Sequence, residues 1–286
     1  MVPEDYVNEV VKAVLEGRKF REYVLREQHK RTLEALKKLV LEVAKSKSYE
    51  RDWWKKKLIL ENNDKELIIW FGGLNEKTIR NWMGSATLDI CRQTCSANYD
   101  TMISLFEDLP EDSPKIFMRI SLKDKMIELD NIETLLLLFS IISAGGTVRG
   151  GVWSEVGKKA GSRILEKLFY ELDIPKGVLS QDFRELYYQL ERVSEGRETD
   201  AEIFYKGKRI HRVEIKLLGI GNPEIGNEAI ARRCDIFLVD DLTSLMIEQA
   251  RQHGVKVILL KDALKELYEI FSKEGLPVKK PSVIVS

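Results

Sequence analysis

Two acids and an amine near the C-terminal third of the chain have a spacing that could do chemistry. In the segment ETDAEIFYKGKRIHRVEIKLL (198–218), Lys206-Gly207-Lys208 reads as a hairpin turn between two strands. Side chains alternate between faces along a strand, so Val213, Ile215 and Leu217 point toward a core. Glu214 and Lys216 point the other way, side by side. The hairpin folds Asp200, at the mouth of the first strand, back toward Glu214. Carboxylates so placed repel one another unless a cation lies between them. Mg²⁺ suits such a site, because it takes a few carboxylate oxygens together with water and a substrate phosphate. The backbone carbonyl of Ile215 is a natural further oxygen ligand. Lys216 then has a role that no metal ligand fills: its ammonium orients an attacking water and stabilises negative charge building on phosphorus. A bare E-x-K is usually an exposed i, i+2 ion pair. The upstream acid and the glycine-rich stretch after Lys216 favour the site.

Other chemistries find less support. The three histidines, His29, His211 and His253, lie far apart, and His211 falls on the core-facing parity of its strand. Cys91 and Cys95 share one face of a helix, but no further Cys or His completes a four-ligand zinc site. There is no Gly-x-Ser-x-Gly elbow and no Walker loop, and GIGNPEIG has the wrong glycine spacing for a dinucleotide fingerprint.

The elements that must position these residues follow from periodicity. Val7, Val10, Val11, Val14 and Leu15 recur at helical steps, as do the apolar residues of TLEALKKLVLEVAKS. Asn75 caps a short helix carrying Lys77, Arg80 and Trp82, and a Gly-Ser break then leads into a longer amphipathic helix. KIFMRISLKDKMIELD reads as strand or mixed structure, and ETLLLLFSIIS as a core helix too short to span a bilayer. SAGGTVRGGVW, with four glycines among residues 145–151, reads as an interdomain joint or as a loop pressed against a phosphate backbone. The boundary is placed there: a mainly helical DNA-binding or dimerisation region over 1–145 and a catalytic domain over 146–286. Beyond it the reading is helix (154–172), helix (181–194), strand, turn, strand, glycine-rich loop, helix (224–233), then strands CDIFLVDD and VKVILLKD alternating with helices. That alternation implies an α/β or α+β mixed sheet flanked by helices.

At 286 residues and 44% hydrophobic, the chain can bury a proper core, with room for two domains. The formal net charge of zero means that any nucleic-acid surface must be local. The N-terminal sequence MVPEDYVNEV lacks a signal-peptide core, so a cytoplasmic location without a membrane association is expected.

The pattern Asp200-x(13)-Glu214-x-Lys216 resembles the PD-(D/E)XK nuclease superfamily, with Thr199 where that motif names proline. GSRILEKLFYELDIP (161–175) is similar to the helix preceding the catalytic hairpin in type II restriction endonucleases. In many of those enzymes a Glu on that helix joins the metal site, a place that Glu166 fits as a third acid, and Glu155, just before it, is a weaker candidate. EIKLLGIGNPEIGNEAIARRCDIFLVDDLT (214–243) resembles the CfrBI-like restriction enzymes, and GLNEKTIRNW has a similar flavour. The resemblance implies a PD-(D/E)XK restriction-endonuclease-like fold and a Mg²⁺-dependent enzyme that cuts double-stranded DNA at a short palindrome, as a homodimer. A repair or junction-resolving nuclease, or a DNA-binding regulator without chemistry, are the alternatives on the same fold.

Base reading in the major groove is done mostly by Arg, Asn and Gln. Asn222, Glu224, Asn227, Arg232 and Arg233 follow the catalytic strand and are the candidates, although Asn222-Pro223 is also an ordinary helix start. Arg149 and Arg163 read as phosphate clamps, and Lys77 and Arg80 as further DNA contacts.

Overall fold

The computed structural model describes residues 2–50, 52–122, 125–177, 185–194, 197–217 and 234–281, without the side chains of 191–194, 197 and 198. By its backbone the chain divides into two compact units. One joins Met1–Leu25 to Trp153–Ser286, and the other is Arg26–Val152. The division therefore differs from a cut after residue 145, because the first 25 residues belong with the C-terminal part.

Helix α1 (Glu4–Leu15) buries Val7, Val10, Val11, Ala13 and Val14, the stripe its periodicity foretold. Helix α2 (Arg21–Ser46) follows. The Arg26–Val152 unit continues with a wide π-helical stretch (Trp54–Leu60), α3 (Lys65–Phe71), α4 (Glu76–Met83) and α5 (Leu88–Glu107). Asp64, Asn75 and Thr87 cap α3, α4 and α5 through their side-chain oxygens. Cys91 and Cys95 lie buried on one face of α5, and burial pushes the Cys95 thiol up to about 12. A β1–β2 hairpin (Met118–Leu122, Lys125–Leu129) resolves the mixed segment as two antiparallel strands.

Helix α6 (Asn131–Glu171) runs for 41 residues. Its start is fixed by a reciprocal cap, in which the Glu133 N–H donates to Asp130 Oδ1 at 2.9 Å and the Asp130 N–H to Glu133 Oε2 at 3.1 Å. The glycine-rich stretch read as a joint or loop is helical and lies inside it. Each glycine there costs about 1 kcal/mol against alanine, a loss that strong helix formers on both sides can carry. The apolar run thus belongs to a helix that is, by length and composition, long and apolar enough to cross a membrane. Leu136, Leu137, Thr134, Ser140 and Ala144 within it are buried in the protein.

The second sheet has five strands in the order β3-β4-β5-β6-β7: Leu186–Ser194, Arg197–Tyr205, Lys208–Lys216, Ile236–Val239 and Lys256–Leu259. The first three are antiparallel, and β5-β6-β7 are parallel. Helices α7 (Ser244–Gln252) and α8 (Ala263–Lys273) complete the unit. The region read as a helix over 181–194 is strand β3 from Leu186 onward. Leu186, Leu190 and Val193 fit a helical stripe, but pairing with β4 overrides that propensity, and residues 181–184 lie outside the described set. Phe169 of α6 packs on Tyr188 of β3 at 4.6 Å between ring centroids. Gly161 of α6 brings the helix backbone against Ile215 of β5, where an added Cβ would lie 3.0 Å from the Ile215 methyl.

The β4–β5 turn consists of Lys206 and Gly207, at φ +49° and +76°. Both central residues in the left-handed region define the turn whose twist matches paired strands. A side chain at Gly207 would meet nothing within 4 Å, so substitution there tests backbone strain alone. Gly207→Val is expected to cost about 1–2 kcal/mol in urea unfolding, and Gly207→Asn much less.

Candidate active site

Strand β5 is enclosed on both faces. Val213 and Ile215 are buried on the face toward α6, and Glu214 is 0% exposed on the other. The solvated strand face that alternation would suggest is absent. The β4–β5 ladder ends at the pair Ala201–Val213, and Asp200 and Glu214 follow one position beyond it, on the face shared with Lys216. The Asp200 carboxylate accepts a hydrogen bond from the Ile215 N–H at 2.9 Å. The Ile215 N–H therefore points toward β4. Since a strand residue projects its N–H and C=O to the same side, its carbonyl points toward Asp200's strand as well. The neighbours agree: the Arg212 carbonyl accepts from the Asp235 N–H at 2.9 Å, on the β6 side.

Asp200, Glu214 and Lys216 thus lie on one face where the β4–β5 ladder ends, and Asp200 is tied there to the backbone of Ile215. Asp200 and Lys216 are half-buried. A donor set of two carboxylates, one of them wholly enclosed, and a backbone carbonyl suits a small hard divalent cation better than a soft metal. Among the described residues no three Asp, Glu, His or Cys side chains cluster as a metal cage.

The other acids weighed for the site are engaged. Glu166 on α6 pairs with Lys176 at 2.8 Å. Glu155 accepts from the Val2 N–H at 2.6 Å and pairs with Lys159 at 3.1 Å. Arg163 contacts Glu4 and Asn8 of α1. Arg149 is exposed on α6. Lys77 and Arg80 are exposed on α4, in the Arg26–Val152 unit, and Arg80 Nε donates to Glu76 at 3.0 Å. Asn222, Glu224, Asn227, Arg232 and Arg233 lie outside the described residues. His211 packs on Phe271 of α8, and its Nε2 lies 2.6 Å from Glu274 Oε2.

Sequence reading passed over a second charged row on the same face. Glu202, 2% exposed, meets Arg209 at 3.3 Å and Arg212 at 3.5 Å, and Gln189 of β3 stands opposite it in register, also buried. Opposite charges at facing positions of a hairpin were the available signal. Removing one partner of a buried pair costs far more than the pair contributes. Glu202→Gln is expected to lower stability by about 3–5 kcal/mol, measured by chemical denaturation. An unchanged midpoint would show that the guanidinium groups reach solvent.

A comparison with family models matches residues 4–246 to the model described as CfrBI restriction endonuclease. No curated protein and no solved structure matches the chain.

Proposed function

The chain belongs to the CfrBI restriction endonuclease family, and from that premise we propose a type II enzyme: a site-specific double-stranded DNA endonuclease with a PD-(D/E)XK-like core and Mg²⁺-dependent phosphodiester hydrolysis. The observation that carries this reading is the alignment of Asp200 with the fully enclosed Glu214, with Lys216 two residues further along the same face.

In this reading Asp200, Glu214 and the Ile215 carbonyl would hold Mg²⁺. When bound, the cation polarises the scissile phosphate and makes its water more acidic. Asp200, held by the Ile215 N–H, keeps its carboxylate at the open end of the strand pair. Glu214 supplies a charge that the surrounding protein shields from bulk water, which strengthens its electrostatic grip. Lys216 donates to the attacking water or to a non-bridging phosphate oxygen, countering charge as it develops. Glu166 joins the site only by exchanging its bond to Lys176. Asn222, Glu224, Asn227, Arg232 and Arg233 remain the candidates for base reading, with Arg149, Arg163, Lys77 and Arg80 for backbone contacts. A homodimer on a short palindrome is the arrangement this function calls for, since two-fold protein symmetry mirrors a palindrome, and the cytoplasm is where its DNA lies.

Incubation of the protein with plasmid and phage DNA in Mg²⁺ is expected to yield discrete fragments. A smear, or nicking confined to branched DNA, would favour the repair or junction-resolving alternative. Lys216→Ala is expected to abolish cleavage while site-specific binding persists, and full cleavage by that variant would discard the mechanism. Mg²⁺ is expected to raise the melting temperature of the wild type but not of Asp200→Asn or Glu214→Gln, as linkage requires for a ligand bound only by the folded site. A regulator without chemistry would show neither cleavage nor the metal-dependent shift.

A further inference from the structure

A cavity of about 570 Å³ opens at the carboxyl ends of β6 and β7, within the unit that carries Lys216. Its floor includes Leu259, and Asp240, Asp241 and Lys261 line it from the sheet side. The connector between α1 and α2 and the first turn of α2 also line it, with the cations Arg18, Lys19 and Arg21 and the acid Glu22.

The connector is held in shape. Gly17, at φ +66°, closes α1, with its N–H donating to Val14 at 3.1 Å and the Arg18 N–H to Ala13 at 2.8 Å. Phe20, 4% exposed, anchors the next residues. Arg18 Nε donates to Glu16 at 2.6 Å and Arg21 lies 3.7 Å from Asp241, so these two cations are partly spent on acids. Lys19 and Lys261 are both exposed.

The cavity lies along the same sheet edge as the candidate active site. Lys216 ends β5 and pairs with Val239, which ends β6 just before Asp240; Val239 in turn pairs with Leu259 of β7. With strands about 4.8 Å apart, the cavity wall begins at Asp240, roughly one strand spacing from Lys216, and reaches Leu259 at about two. In open sheets with parallel strands, ligands bind outside the carboxyl ends.

We infer that this cavity is a backbone-binding site for the DNA strand being cut, with Lys19 and Lys261 neutralising phosphates adjacent to the scissile one. The inference rests on the nuclease reading above and adds to it residues from the N-terminal 25, which no base-reading or catalytic assignment includes.

The test is binding of a short fluorescein-labelled duplex of random sequence, without divalent metal, across a series of salt concentrations. Each phosphate contact contributes about 0.9 to the slope of log K against log salt concentration. The double variant Lys19→Glu/Lys261→Glu is expected to lose about two from that slope. A control with the same charge change on exposed residues of α8, Lys265→Glu/Lys273→Glu, is expected to keep the wild-type slope. A wild-type slope in the cavity variant, or an equal loss in the control, overturns the assignment. If the wild type still cuts DNA in Mg²⁺ in either case, the cavity assignment alone falls. If the wild type neither binds nor cuts, the nuclease reading falls with it.

Discussion

That Asp200 and Glu214 share a face at the end of the β4–β5 ladder depends on one extra residue in a hairpin. The turn at Lys206 and Gly207 sets Tyr205 opposite Lys208 and Phe204 opposite Arg209. Continued regularly, that ladder would bring Asp200 opposite Val213, on the face away from Glu214, because a one-residue slip exchanges the faces of a strand. The register shifts between Ile203 and Phe204 instead, so that Ile203 pairs with His211 and Ile210 is the bulged residue. Burial supplies the reason. With the bulge, Ala201, Ile203, Val213 and Ile215 share the face toward α6. Without it, Arg212 and Glu214 would face that helix beside Ala201. The apolar pattern selects the bulge, and the bulge aligns the two acids.

A second constraint is that charge lies inside the sheet's cover. Glu202, Arg212 and Glu214 are all buried on one face of two neighbouring strands. Burying such groups costs several kcal/mol per ion before any pairing, and apolar residues of similar volume often serve stability as well or better. The Glu202 row is held by two guanidinium groups. Its neighbour, the row of Asp200 and Glu214, places two acids face to face, an arrangement with a stability cost and a use in metal chemistry. The charged rows thus make sense as support for a site rather than as a source of stability.

The hairpin and the spacing of Asp200, Glu214 and Lys216 were legible because a Gly turn and a period-two strand leave direct marks. The enclosure of Glu214 was not, since alternation alone gives a solvated face as the default. Glu202 and Arg212 went unread for the same reason, although their cross-strand opposition was available once the register was known. Strand β3 was mistaken for a helix because its Leu, Tyr and Val residues satisfy both periods, and only its partner β4 decides between them. The glycines at 145–151 read as a loop because they are poor helix formers locally. Helix formation is cooperative, and once α6 is nucleated by its cap and apolar run, extension through weak residues costs little per residue.

The composition of the unit that carries Lys216 bears on how it forms. Its first 25 residues and its last half are joined across the whole Arg26–Val152 segment. The valine stripe of α1 is buried, and polar contacts fix its place: Val2 with Glu155, and Glu4 and Asn8 with Arg163. Closing so long an interval is less costly than it looks, because loop-closure entropy grows only with the logarithm of length, and an interval that folds into its own compact unit shortens the effective loop further. The more telling consequence is kinetic. Contacts of such high sequence separation slow folding, because loop-closure entropy is spent before they reward it. The β4–β5 hairpin, whose contacts are local, therefore does not depend on the return of the N-terminal helix, whereas the wall that α1 and α2 give the cavity does.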